Sequence, residues 1–297
     1  MNLNEYRVLV TGYRGFVGTE TMKYLQEQGI YAVGYDAIDG GYDIRNLPKL
    51  QEVVQQNQIN RILHLAAVAR FKDADNDPIL AQDVNSFGTS IVAGLSNNHF
   101  IPIIYASTGS VYMPITQEPP ITEEFSAYGN SQYACTKRQG ELYVMRSRAP
   151  WIVLRYAHLY GREKRMHGLI GGYLSRIQFG MEPELMGGKQ SNDFCYVKDV
   201  ARANFLALTA PADKWRQIYN IGTGEELSAE EAGDMVIKAY NKANPAFPFT
   251  GKVKKLEARS VDPSRFVYDI SKAEKMLKFR AEYTFEKGLK DMFSQGL

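Results

Sequence analysis

The chain has 297 residues, 44% of them hydrophobic, enough to bury a large core as one big domain or two unequal ones. Its 35 basic and 33 acidic residues leave a net charge of +2, and no basic stripe interleaves with aromatics, so nucleic acid is excluded as an expected partner. The sequence leads straight into a strand pattern, with neither a signal-peptide pattern nor an apolar run long enough to cross a bilayer, so a cytoplasmic protein without membrane partners is expected. The two cysteines, Cys135 and Cys195, lie in no metal-ligand spacing; both are expected to be reduced, and no metal site is expected.

In chain order, the apolar run Arg7-Val8-Leu9-Val10 is followed by Thr11-Gly12-Tyr13-Arg14-Gly15-Phe16-Val17-Gly18 and then by a helical pattern carrying Met22 and Leu25. Strand, glycine turn and helix in that order make a dinucleotide site the expectation. Gly12 and Gly15 let the backbone turn tightly and approach a pyrophosphate, Gly18 lets the helix pack against the strand, and the phosphate lies at the helix N-terminus, beside Arg14, Phe16 and Val17. A second apolar run, Tyr31 to Tyr35, ends in Asp36, where a carboxylate is needed to bind the adenosine ribose hydroxyls.

Arg61-Ile62-Leu63-His64-Leu65-Ala66-Ala67 reads as a buried strand ending in small residues, which let a flat cofactor lie close to backbone. Ile103-Ile104-Tyr105-Ala106 runs into Ser107-Thr108-Gly109-Ser110, placing hydroxyls at the carboxyl end of a strand, where open α/β sheets bind ligands. Thr108 and Ser110 are therefore candidate substrate contacts, with turn capping as the competing role. Tyr133 and Lys137 stand four apart on a predicted helix, which sets a phenol beside an ammonium on one face. A nearby positive charge favours the phenolate and draws its pKa toward working pH, so Tyr133 is expected to act as a general base.

Strands alternate with helical patterns to about Leu154, predicting a parallel sheet with helices on both faces. Beyond Gly161 come a basic loop with Arg162, Lys164 and Arg165, a helix near Gly168 to Gly180, further helices near Lys198 and Ser228, and loop or edge structure from Asn241 to Lys255.

Together these motifs resemble the extended short-chain dehydrogenase/reductase family, in particular its NAD-dependent nucleotide-sugar epimerases and dehydratases. Further segments that carry the likeness are Asp43-Ile44-Arg45, His64 to Ala67, Val84-Asn85 with Gly88-Thr89, Leu154-Arg155-Tyr156, Asp193 to Val197, Tyr219 to Gly222, and Arg259 with Asp262. The resemblance implies a Rossmann-type, doubly wound parallel sheet with a smaller C-terminal α/β substrate-binding domain. Residues 1–160, with 192–222 possible returns to it, form the NAD-binding domain, and 161–297 mainly the substrate-binding one. It places Asp43, Ile44, Asn85, Tyr156 and Lys137 at the cofactor, and Ser110, His158, Gly168, Leu169, Asn192, Arg259 and Asp262 at a nucleotide-diphosphate sugar. Arg155, Arg162 and Arg165 are the candidates for another charge at the diphosphate.

By the same resemblance, Tyr133 removes a hydroxyl proton, Thr108 holds that oxygen, and an epimerase inverts C4 through a transient keto sugar. Dehydratases of the family carry an Asp-Glu pair after the threonine, where this chain has Gly109-Ser110, so dehydration ranks lower. A keto-sugar reductase using NADPH is the alternative, suggested by Arg14, while Asp36 favours NAD through its repulsion of a 2′-phosphate. A non-catalytic NAD(P)-sensing regulator is disfavoured by the presence of Thr108, Tyr133 and Lys137. A homodimer is implied, through helices near Asn85 to Ser96 and Gln132 to Arg146.

Overall fold

The computed structural model describes residues 3–162, 168–258 and 263–294. Its first half runs β1 (Arg7–Thr11), α1 (Phe16–Glu27), β2 (Tyr31–Tyr35), α2 (Leu47–Gln56), β3 (Arg61–His64), α3 (Phe71–Asn76), α4 (Pro78–Ala81), a π-helical stretch (Gln82–Gly88), α5 (Thr89–His99), β4 (Ile103–Thr108), α6 (Gln132–Met145) and β5 (Trp151–Tyr156). Then follow β6 (His158–Tyr160), α7 (Gly168–Gln178), β7 (Glu184–Met186), β8 (Ser191–Asn192), β9 (Phe194–Tyr196), α8 (Val197–Leu208), β10 (Gln217–Ile221), β11 (Leu227–Ser228), α9 (Ala229–Ala243), β12 (Lys254–Leu256), β13 (Arg265–Phe266), α10 (Ser271–Leu277) and α11 (Phe285–Ser294).

Six strands make one parallel sheet in the order β10-β5-β4-β3-β1-β2. From β1 the chain winds outward in both directions, so the carboxyl ends of β1 and β3 open a crevice at the switch point. Side chains alternate across a strand, and the two faces are sorted accordingly. Val8, Val10, Leu63, Ile104, Ile152 and Leu154 enter the core shared with α1 and α8, while Leu9, Ile62, Ile103, Tyr105 and Val153 enter the core on the other face. Both faces are buried, which is why these strands are apolar almost throughout.

That alternation also decides the fate of the polar strand residues. Ser107 and Arg155, in register on β4 and β5, fall on the same face as Tyr105 and Val153, toward α6. Tyr156, one residue on, belongs to the core on the α8 side. α6 itself starts at Ser131, whose side chain accepts the Ala134 N–H, a cap worth about 1 kcal/mol.

Besides the core flanking the large sheet on its two faces, a second apolar core joins Tyr173, Leu174 and Ile177 of α7, Ala232 and Val236 of α9, and Leu289 and Met292 of α11 with Phe194 and Tyr196 of β9. Three small sheets accompany it: β11-β8-β13, β12-β7 and β6-β9. The chain thus leaves the large sheet after β5 and returns to it at β10. Among the described residues no helix is long and apolar enough to cross a membrane.

Candidate active site

The glycine turn occupies the crevice at the head of β1. Gly12 has φ of 70°, a left-handed conformation that disfavours a side chain, and a Cβ there would meet the Ala66 amide nitrogen at 2.6 Å. Gly18 is as tightly enclosed, since its Cβ would come within 2.2 Å of the Gly12 carbonyl. Gly15 differs. A Cβ there meets only the Gly12 oxygen, at 3.2 Å, and no side chain caps α1 at this residue, so its first amides face an open approach.

Asp36 ends β2 beside this turn, accepting the Arg14 N–H at 3.2 Å and the Ile38 N–H at 3.1 Å. Arg14 turns its guanidinium onto Asp39, with Nε and Nη2 each 2.5 Å from Oδ1. The cation expected to be available for a 2′-phosphate is therefore already paired. Asp43 takes the Arg45 guanidinium at 2.7 and 3.0 Å, and Ile44 is buried in the core.

Behind the turn, His64 joins three elements: Nδ1 hydrogen-bonds Thr11 Oγ1 at 2.6 Å and Nε2 hydrogen-bonds Thr89 Oγ1 at 3.0 Å. Burial, reinforced by the charge of Lys137, pushes its pKa down to about 3, so it is a neutral structural imidazole. Asn85 is fully buried. Its amide accepts the Val68 N–H at 2.7 Å and donates to the Val68 carbonyl at 3.0 Å and to Thr136 Oγ1 at 3.1 Å. It holds the loop of Leu65, Ala66 and Ala67 against α6, so the expectation of a direct cofactor contact through this side chain is corrected.

Tyr133 projects from the first turn of α6 toward the end of β4, near enough to Thr108 for that hydroxyl to favour the phenolate. Thr108 fills the turn-capping role considered for it: its Oγ1 accepts the Ser110 N–H at 3.2 Å and lies 3.2 Å from Ser110 Oγ. Phe71, at the start of α3, packs edge-on to Tyr133 with ring centroids 5.2 Å apart. Lys137 is 2% exposed and points its ammonium at the face of Tyr105, 4.3 Å from the ring centre.

The electrostatics correct one expectation. Burial pushes the Tyr133 phenol up to about 12, only partly offset by the neighbouring Thr108 hydroxyl. Burial likewise brings Lys137 down to about 7, with the Glu141 carboxylate acting in the opposite direction. In the free protein the lysine therefore does not draw the phenol toward neutrality; enclosure dominates for both groups, and the ammonium is turned to Tyr105.

Glu141 escaped the sequence reading although it continues the face of Tyr133 and Lys137, four residues further on. It is fully buried and accepts from Ser107 Oγ at 2.5 Å, from Arg155 at 2.8 and 2.9 Å and from Arg138 at 2.6 Å. Arg155 is thus a core cation, stacked 4.6 Å from the Tyr112 ring centre, and does not serve a diphosphate. Tyr156 is corrected as well: its hydroxyl donates to Asn204 at 2.6 Å, on the α8 side of the sheet.

On the substrate side, His158 is exposed rather than buried, and its ring stands 5.1 Å from Phe266. Asn192 lies on β8 between β11 and β13, Gly168 opens α7, and the neighbouring Leu169 packs against the second core. Arg259, Asp262, Lys164 and Arg165 fall outside the described residues.

A hydroxyl-bearing substrate set against Tyr133 and Thr108 would exchange a proton with the phenol beside a dinucleotide on the glycine turn, which is the plan of a short-chain dehydrogenase/reductase. The chain belongs to the NAD dependent epimerase/dehydratase family, which it matches over residues 8–222. A protein of Methanocaldococcus jannaschii named as a putative UDP-glucose 4-epimerase is 28% identical, over 95% of this chain and 96% of the relative. The UDP-glucuronate 4-epimerase of Thermodesulfobacterium geofontis is 27% identical, over 95% and 93%. The crystal structure of Thermus thermophilus UDP-glucose 4-epimerase with NAD is similar with a TM-score of 0.83 and 25% identity, covering 98% of this chain and 100% of that one. The residues fit NAD: the open face at Gly15 admits a pyrophosphate to the amides of α1, and Asp36 stands where a ribose diol needs an acceptor.

Proposed function

We propose that the protein is an NAD-dependent nucleotide-sugar epimerase that inverts C4 of its substrate. The observation that carries this is the placing of Tyr133, in the first turn of α6, near the Thr108 hydroxyl at the carboxyl edge of β4, with Lys137 one helical turn further along. When bound, NAD would supply reversible hydride exchange with the sugar carbon. Tyr133 receives the hydroxyl proton at its phenolic oxygen, and Thr108 hydrogen-bonds the same sugar oxygen as charge develops there. Lys137, one turn further along α6, would hold the nicotinamide ribose. Loss of hydride to one face and its return to the other inverts the carbon without net redox change.

Gly109 and Ser110 follow Thr108, and neither exchanges protons near neutral pH, so the site is suited to inversion rather than elimination. The Arg14–Asp39 pair likewise disfavours an NADPH-dependent reductase. The substrate is a nucleotide-diphosphate sugar lying toward Ser110, His158, Gly168, Leu169 and Asn192. The dinucleotide domain comprises residues 1–160 together with the segment that returns through β9, α8 and β10. Two copies pair through α5 and α6, and both cysteines remain reduced thiols in the cytoplasm.

The test is to identify the dinucleotide released on denaturation and to incubate the native protein with UDP-, GDP-, CDP- and dTDP-sugars. An isomeric product with no net change in reduced nicotinamide is expected. Tyr133→Phe should abolish turnover while retaining NAD; full turnover by this variant with a sugar substrate sinks the mechanism.

A further inference from the structure

Arg14 stands between two acids. Its backbone N–H reaches Asp36 Oδ2 at 3.2 Å, and its guanidinium is held by Asp39 Oδ1 at 2.5 Å. The chain between the acids is shaped for this. Asp36 Oδ1 accepts the Ile38 N–H and caps the single 3₁₀ turn Ala37–Asp39, after which Gly40 and Gly41, with φ of 71° and 73°, reverse the chain toward Asp43. Tyr13 completes the enclosure: its ring lies so close to Gly34 that a Cβ there would meet it at 2.5 Å. The Arg14 guanidinium carbon is 5.1 Å from the centre of the same ring.

NADP differs from NAD by a phosphate on the adenosine ribose, the group that Asp36 faces when the ribose is bound. A carboxylate at that point repels the phosphate, but a cation one residue along the glycine turn would offset the repulsion if its donors were available. Here they are not. With Asp36, Asp39 and Arg14 counted together, the local charge is negative by one.

We propose that Asp39 is a specificity-determining residue: it sequesters Arg14 and so, with Asp36, excludes the 2′-phosphate of NADP. The proposal rests on the dinucleotide lying on the glycine turn, as read above.

The test is calorimetric titration of NAD⁺ and NADP⁺ into wild-type protein freed of bound dinucleotide, Asp39→Asn, Asp36→Asn, and Asp39→Asn with Arg14→Ala. Asp39→Asn should raise NADP⁺ affinity relative to NAD⁺ about tenfold, equivalent to about 1.4 kcal/mol. Adding Arg14→Ala should remove that gain. An unchanged ratio in Asp39→Asn, with a shift in Asp36→Asn, would mean that Asp36 acts alone and would overturn the proposal. A gain that persists without Arg14 overturns sequestration too. If wild-type protein binds neither dinucleotide, the placement of the cofactor itself fails, an outcome distinct from an unchanged ratio.

Discussion

Ser107 donates a 2.5 Å hydrogen bond to Glu141, so the strand residue just before Thr108 is fastened to the helical turn just after Lys137. Arg155 closes the same knot from β5. Removing one partner of a buried ion pair leaves the other charge uncompensated, typically at about 3–5 kcal/mol, whereas apolar replacement of both is often close to neutral. Glu141→Ala and Arg155→Met should each lower stability by that amount, and Glu141→Met with Arg155→Met should lose less than either single variant. Denaturant unfolding of the three proteins measures this, and strictly additive losses contradict it.

Gly15 and Gly18 separate binding from folding. A methyl at Gly18 would overlap the Gly12 carbonyl and has nowhere to go, so Gly18→Ala should cost about 3 kcal/mol or more. At Gly15 the methyl meets one atom at 3.2 Å, and the expected cost is about 1 kcal/mol, mostly from a poorer helix cap. That methyl nevertheless stands in the path of the pyrophosphate. Gly15→Ala should therefore melt near the wild-type temperature yet bind NAD about tenfold or more weakly; unimpaired NAD binding would contradict the placement of the phosphates.

The Lys137 amine titrates at about 7 in the folded protein, against 10.5 for an ordinary lysine. Between those values the unfolded chain binds the extra proton, so stability rises with pH across this window, by at most about 1.4 kcal/mol per unit. Below pH 7 both states are protonated and the cost of the buried charge is fully present. Lys137→Met has no such group. The difference in unfolding free energy, wild type minus variant, should climb from pH 7 toward pH 10; a flat difference would show that Lys137 keeps an ordinary pKa.

Apolar side chains stand exposed along the α4 to α6 face: Ile79, Leu80, Phe87, Leu142 and Tyr143. Phe87 is 57% and Tyr143 43% exposed, large aromatic surfaces of the kind that anchor interfaces. Sedimentation should show a dimer at micromolar concentration, and Phe87→Glu with Tyr143→Glu should yield a folded monomer. A monomeric wild type removes the proposed pairing.

The glycine turn and the Tyr133–Lys137 spacing were legible because backbone periodicity alone places such residues. The parallel sheet was legible for the same reason, from apolar runs separated by helical patterns. Arg155 misled because a motif gives a residue's neighbourhood but not the face to which its side chain turns. A cation inside the apolar run from Trp151 to Tyr156 nevertheless demands a buried partner, and Glu141, one turn past Lys137, was the available one. Tyr156 and Asn85 went astray in the same way, their polar groups being spent on Asn204 and on Val68 with Thr136. Asp39 and Phe71 carried no periodic signal, since loop geometry brings each to its partner.

The knot of Ser107, Glu141 and Arg155 has a bearing on how such a site can diversify. Thr108 and Tyr133 keep their spacing through this tether, which bypasses the chain that joins them. The mostly exposed residues 116 to 120 can therefore lengthen, shorten or change composition while the reacting pair stays put, whereas Ile121 is buried and Ser131 caps α6. Between Tyr133 and Glu141 no such freedom exists: deleting one residue would swing the rest of α6 by about 100° and part the phenol, the amine and the tether at once.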